Sequence, residues 1–73
     1  MNLGKVFNAF SCYPDVLTIF SNNETTVRFD INHNFNEMIS FVEMNREAIV
    51  TDFFVFFDDC KNGFELEITI NKN

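Results

Sequence analysis

Chemistry in a chain this short would need a nucleophile with a base, a metal cage or a phosphate cradle, and few residues are available for any of them. His33 is the single histidine and lies between Asn32 and Asn34 in a polar turn sequence. A Ser-His-acid or Cys-His set requires a base oriented by a third group, and one turn histidine offers no such frame. Cys12 and Cys60 with His33 lack the spacing of a zinc site. The segment DDCKNGFELEIT places Asp58, Asn62 and Gly63 at the first, fifth and sixth positions of a calcium loop. Cys60, Leu66 and Thr69 then occupy the third, ninth and twelfth positions, where oxygen ligands and a bidentate Glu belong, and a hairpin turn accounts for the same residues. The only glycines are Gly4 and Gly63, too few for a phosphate-binding loop. The sequence therefore reads as a binding protein rather than an enzyme, with no cofactor and no metal.

What remains is acid. Eleven Asp and Glu face five Lys and Arg, for a net charge of −6. Direct contact with nucleic acid is excluded on this balance, because phosphate binding needs clustered cations. A basic protein surface, such as one that itself binds nucleic acid, would be attracted instead. No run approaches 18 apolar residues, so no membrane helix is expected, and MNLGKVFNAFSC lacks the apolar stretch and cleavage site of a secretion signal. A cytoplasmic protein follows, or a host-cytoplasmic one if a phage encodes it. Two cysteines are too few for a disulfide framework, and in that compartment both should be reduced; a bridge between Cys12 and Cys60 stays open. The abundance of Asn and Phe, eleven of each, points to AT-rich codons and a low-GC genome.

The elements that must position these residues follow from hydrophobic periodicity in a single domain spanning residues 1–73. Leu3, Val6, Phe7 and Phe10 have helical spacing, one or two turns that Gly4 weakens and Pro14 closes. DVLTIF (15–20) is β-branched and aromatic and reads as a strand, followed by the turn SNNE. TTVRFDI (25–31) alternates, with Val27, Phe29 and Ile31 on one face and Thr26, Arg28 and Asp30 on the other. Phe35, Met38, Ile39 and Val42 form one face of a helix expected over 35–48, with Asn34 as N-cap, Glu37 completing a capping box and Arg46 in the last turn. TDFFVFFDD (51–59) and FELEITI (64–70) close the chain as strands around an Asn62-Gly63 hairpin turn. The fold expected is α+β: a small antiparallel sheet of four strands in the order β-β-α-β-β, one main helix on one face and room for a short N-terminal helix. The first and third strands are apolar on both faces and the other two on one, which suggests the spatial order 2-1-3-4.

The stretch TDFFVFFDD carries the functional question. A three-residue loop, Lys61-Asn62-Gly63 with Gly63 as a bulge, would turn Phe54 and Phe56 inward; the favoured parity takes Phe53, Val55 and Phe57 into the core, keeps Asp52 and Asp58 outside and points Phe54 and Phe56 to the second face. That register sets Asp58 opposite Glu67 with a two-residue loop, or opposite Glu65 with a four-residue loop, so acidic crowding is expected at that end. Leu3, Phe7 and Phe10 of the N-terminal segment could cover the two rings. Otherwise Phe54 and Phe56, rimmed by Asp52, Asp58, Asp59, Glu65 and Glu67, form a protein-binding surface. By size, charge and codon bias the chain is then expected to be an inhibitor of a host protein carried by a phage or mobile element, of the anti-restriction, anti-CRISPR or DNA-mimic kind. Two alternatives remain open: a homodimeric structural or regulatory protein using the second sheet face, and a small-molecule binder with a Phe-lined pocket.

Overall fold

A computed structural model describes residues 1–22, 24–58 and 63–71, excepting the side chains of Glu24, Thr25 and Asp58. The chain runs α1 (Leu3–Asn8), β1 (Val16–Ser21), β2 (Glu24–Asp30), α2 (Phe35–Met44), β3 (Ile49–Asp58) and β4 (Gly63–Asn71). About 25% of it is helix and 48% strand, an α+β domain with the expected β-β-α-β-β order and the short N-terminal helix.

The sheet is mixed, in the order β2-β1-β4-β3. This corrects the expected order 2-1-3-4 and the expectation of an all-antiparallel sheet: β4, not β3, lies beside β1, and that pair is parallel. The pairing aligns Leu17 with Leu66 and Ile19 with Ile68, and all four side chains are fully buried. An apolar second face favours a central strand only where that face is covered. Here it is open, so the central place goes to the strand that buries its inward row best. β4 buries Phe64, Leu66, Ile68 and Ile70, whereas β3 leaves Phe53 and Phe57 exposed.

Both helices contribute to this one core. Leu3, Val6 and Phe7 of α1 and Met38 and Val42 of α2 join Leu17, Ile19, Phe29 and the inward row of β4 in a single cluster. Asn2 caps α1, its side chain accepting the Lys5 N–H at 2.9 Å. Gly4, a poor helix former, is explained by close packing: a Cβ there would lie 3.1 Å from Arg46 Cβ, and the Gly4 N–H donates to the Arg46 carbonyl. Residues 1 and 2 also line the start of β3. Val50 N–H donates to the Met1 carbonyl at 3.0 Å, and Asn2 bridges to Ile49.

α2 departs from expectation at both ends. It stops at Met44, four residues early: Asn45 leaves the helical conformation (φ −119°, ψ 20°), and its side-chain amide joins its backbone N–H in donating to the Phe41 carbonyl. Arg46 therefore lies beyond the last turn and pairs at 3.7 Å with Glu43 and Glu47 on the surface. Asn34 holds the N-cap position but makes no side-chain cap bond, so the expected capping box is absent. Its N–H instead donates to the Asp30 carbonyl at 2.6 Å, continuing the turn out of β2.

Two stability measurements follow. Leu66→Ala removes a fully buried side chain from the parallel seam and should cost about 2–5 kcal/mol, comparable to the whole stability of a domain this small, so urea titration by circular dichroism should find it largely unfolded. Ser21→Ala should be neutral or stabilising by up to about 1 kcal/mol in the same assay, because Ser21 Oγ is buried without a hydrogen-bond partner.

Candidate functional site

The sheet has one covered face and one open face, and the register decides which residues share them. β3 pairs with β4 so that Phe53 meets Ile68, Val55 meets Leu66 and Phe57 meets Phe64. Phe53, Val55 and Phe57 thus share the helix-covered side with the inward row of β4, as the favoured parity required. The offset differs from both expected versions: Asp58 stands opposite Gly63, not Glu65 or Glu67. This register sets Phe57 against Phe64, with ring centroids 6.3 Å apart, and removes the expected opposition of acids.

The link between β3 and β4 is residues 59–62, so Asp59, Cys60 and the Asn62 half of the expected turn lie outside the described residues. Gly63 is already the first residue of β4, and its need for glycine comes from packing. A Cβ there would overlap the Asp15 carboxylate, whose backbone N–H donates to the Phe64 carbonyl at 2.8 Å. Residues 63–71 are strand, which leaves the second half of the calcium-loop pattern with no loop geometry. Cys12 is a free, exposed thiol, and His33 is an exposed turn residue whose N–H donates to the Asp30 carbonyl. Among the described residues no group of three His, Cys, Asp or Glu could hold a metal ion, and no helix is long and apolar enough to cross a membrane.

The open face is built in cross-strand rows. One row runs Arg28, Thr18, Glu67, Phe54 across β2, β1, β4 and β3; the next runs Asp30, Val16, Glu65, Phe56. A third joins Phe20 of β1, Thr69 of β4 and Asp52 of β3. Phe54 therefore stands directly beside Glu67 and Phe56 beside Glu65. Phe54 is 56% exposed and Phe56 50%, with ring centroids 6.4 Å apart. Neither is covered by Leu3, Phe7 or Phe10, because α1 packs on the opposite face. Leu3 and Phe7 are in the core cluster there, and the Phe10 ring lies 5.1 Å from that of Phe64.

Of the seven residues singled out in the sequence, Phe54, Phe56, Asp52, Glu65 and Glu67 come together on this face. Asp58 has a backbone position at its end, and Asp59 falls outside the described residues. Sequence reasoning missed Val16, Thr18 and Phe20, whose alternation in β1 already placed them on the same side. It also left unassigned Arg28, an exposed cation with no ion pair among the described residues, at the far edge of the face. Asp52 has a local role as well, its Oδ1 accepting the Phe53 N–H at 2.9 Å beside the irregularity between Val50 and Asp52.

Concavities are shallow. Two along the helices, about 460 and 630 Å³, share Glu43, Arg46 and Glu47 as lining. An apolar cleft of about 170 Å³ lies between α1 and Phe53. No protein-family model, curated protein or solved structure matches the chain.

The geometry makes a direct stability prediction. Replacing Phe54 and Phe56 together by Thr, a β-branched residue suited to a strand, should shift unfolding free energy by no more than about 1 kcal/mol. A loss of several kcal/mol in urea titration would mean that the rings are structural after all.

Proposed function

We propose that this chain is a small acidic protein-binding module that works by occupying a basic surface of another protein, not by catalysis. The observation that carries the proposal is the pairing of exposed rings with carboxylates: Phe54 beside Glu67 and Phe56 beside Glu65, on a sheet face that no described element covers. Exposed aromatic side chains rimmed by charge are the usual anatomy of a protein contact, with the rings as anchors and the charges setting partner choice and encounter rate. Asp52 extends the acidic rim along β3, and Asp58 and Asp59 continue it in sequence. The net charge of −6 gives the whole molecule the same preference.

A target that normally holds phosphate backbone presents the complementary cations, so carboxylates on a flat sheet can stand in for phosphates. An inhibitor of a host nucleic-acid-binding protein, carried by a phage or mobile element, fits this chemistry together with the chain's size and codon bias. A small-molecule site in a Phe-lined pocket is supported less. The apolar cleft beside Phe53 is about 170 Å³, below the roughly 300–1,000 Å³ of ordinary ligand pockets. A homodimer closed face to face would set the Glu65 and Glu67 carboxylates of both copies against each other.

Affinity capture from a low-GC bacterial lysate tests the proposal. Wild type should retain a basic protein at low salt and release it as salt rises. Glu65→Lys with Glu67→Lys should abolish capture, and Phe54→Thr with Phe56→Thr should weaken it at least ten-fold, corresponding to about 1.4 kcal/mol. A captured protein that ignores both substitutions would refute the open face as the contact.

A further inference from the structure

The outer edge of β3 carries a second, separate feature. β3 is an edge strand of ten residues, and Met1 and Asn2 line that edge only at Ile49 and Val50. From Asp52 to Asp58 no described strand covers it. An uncovered strand edge is a template for another strand. The residues along it read Asp52-Phe53-Phe54-Val55-Phe56-Phe57-Asp58, the same sequence in both directions. A strand that reads alike both ways is complementary to itself under a two-fold axis, since antiparallel pairing opposes residue i to the residue equally far on the other side of the axis.

We propose that two copies of this chain pair antiparallel through β3, with the two-fold axis at Val55, to form one continuous eight-stranded sheet. The register is set by the rings. Centred on Val55, Phe53 opposes Phe57 of the second copy and Phe54 opposes Phe56, giving four Phe–Phe pairs about a Val–Val pair. A slip of two residues, centred on Phe54 or on Phe56, keeps one Phe–Phe pair and sets an Asp against a Phe. Aromatic cross-strand pairs are among the favourable ones, so four against one decides the register.

Exposure agrees with this register. Phe57 is the most exposed ring of β3, at 79%, and is on the helix side at the sheet's edge. Pairing brings it beside Phe53 of the other copy, at the mouth of the apolar cleft of about 170 Å³ lined by Met1, Lys5, Val6, Ala9, Phe10 and Phe53. Among the described residues nothing fills that cleft. The four rings of β3 together expose about 450 Å² per chain, taking roughly 200 Å² for a whole Phe. Two chains thus expose about 900 Å² of apolar ring surface along the paired edges, of which pairing covers the sides turned toward the second copy.

The Asp–Asp oppositions fall at the two ends of the paired segment, and they give the pairing a signature. Asp52 of each copy opposes Asp58 of the other, so reversing either charge converts two like pairs into two opposite pairs, whereas reversing both restores like pairs. Sedimentation equilibrium of the intact chain at fixed ionic strength, from about 1 to 500 μM, should show the mass rising from 8.6 kDa toward twice that value. Asp52→Lys and Asp58→Lys should each tighten the dimer about ten-fold, and the double variant should return to within about two-fold of wild type. Asp58→Lys leaves the Asp52–Phe53 bond in place and so serves if Asp52→Lys disturbs folding. Phe57→Glu should give a monomer while leaving the Glu65 and Glu67 face intact for partner capture. A concentration-independent 8.6 kDa mass for wild type would overturn the proposal. So would a double variant tighter than both singles, because net charge alone predicts that order.

Discussion

The parallel seam between β1 and β4 is the contact on which the rest of the molecule depends. Leu17, Ile19, Leu66 and Ile68 meet there in register and are all fully buried. A parallel neighbour cannot be reached by a tight turn, so the chain has to leave β2 at one edge and return as β3 at the other. α2 is the segment that makes this passage. Its Met38 and Val42 join Leu3, Val6 and Phe7 of α1 and the seam residues in one core cluster. Both helices join the same core, which limits helical cover to one side of the sheet; no described element covers the other.

That limit gives the open face its character. The inward rows of the strands hold the aliphatic residues, and the outward row of each strand is free to differ. β4 contributes Glu65 and Glu67, β3 contributes Phe54 and Phe56, and β1 contributes Val16, Thr18 and Phe20. Thr18 and Val16 are nonetheless buried, in the central strand β1 with a neighbouring strand on each side. Exposure is therefore concentrated on β3, where the rings have a neighbouring strand on one side only.

Much of this was legible from residue periodicity. The strands at 15–20, 25–31 and 64–70 and the helix face Phe35, Met38, Ile39 and Val42 follow from alternation and 3.6-residue spacing, which depend on local geometry alone. The parity of β3 was legible too, because a one-residue slip would have driven Asp52 inward. Strand order was not. It depends on whether the second face is covered, a tertiary fact that apolarity does not reveal. The offset of the β3–β4 pairing was also hidden: Asn62-Gly63 suggested a link of two or four residues that includes Gly63, whereas Gly63 already pairs with Asp58 as the first residue of β4. The end of α2 was obscured by a residue that acts through its side chain: Asn45 closes the helix on Phe41, where periodicity alone runs on through Met44 to Ala48. Of the site, the rings and the two glutamates were found as a set because they alternate on adjacent strands, while Arg28 was passed over as one cation among many acids.

Edge strands in monomeric proteins are normally defended, and the pattern of defence on β3 is informative. Its first residues are lined by Met1 and Asn2, an irregularity follows at Thr51, and Asp52 turns its carboxylate back onto the Phe53 N–H. These are the devices that stop a strand from adding to its neighbours. They end at Phe53, where five consecutive apolar residues begin. A chain able to guard the start of the strand in three ways, and carrying a charge at each end of the apolar run, has confined its exposed edge to one short segment. Confinement of that kind suits a single matched partner strand, because a strand that extends past either acid must set its own residues against charge or the Met1 contact. The same acids that solubilise the edge therefore also fix how long a paired strand can be, and the palindrome fixes which strand meets that limit on both sides at once.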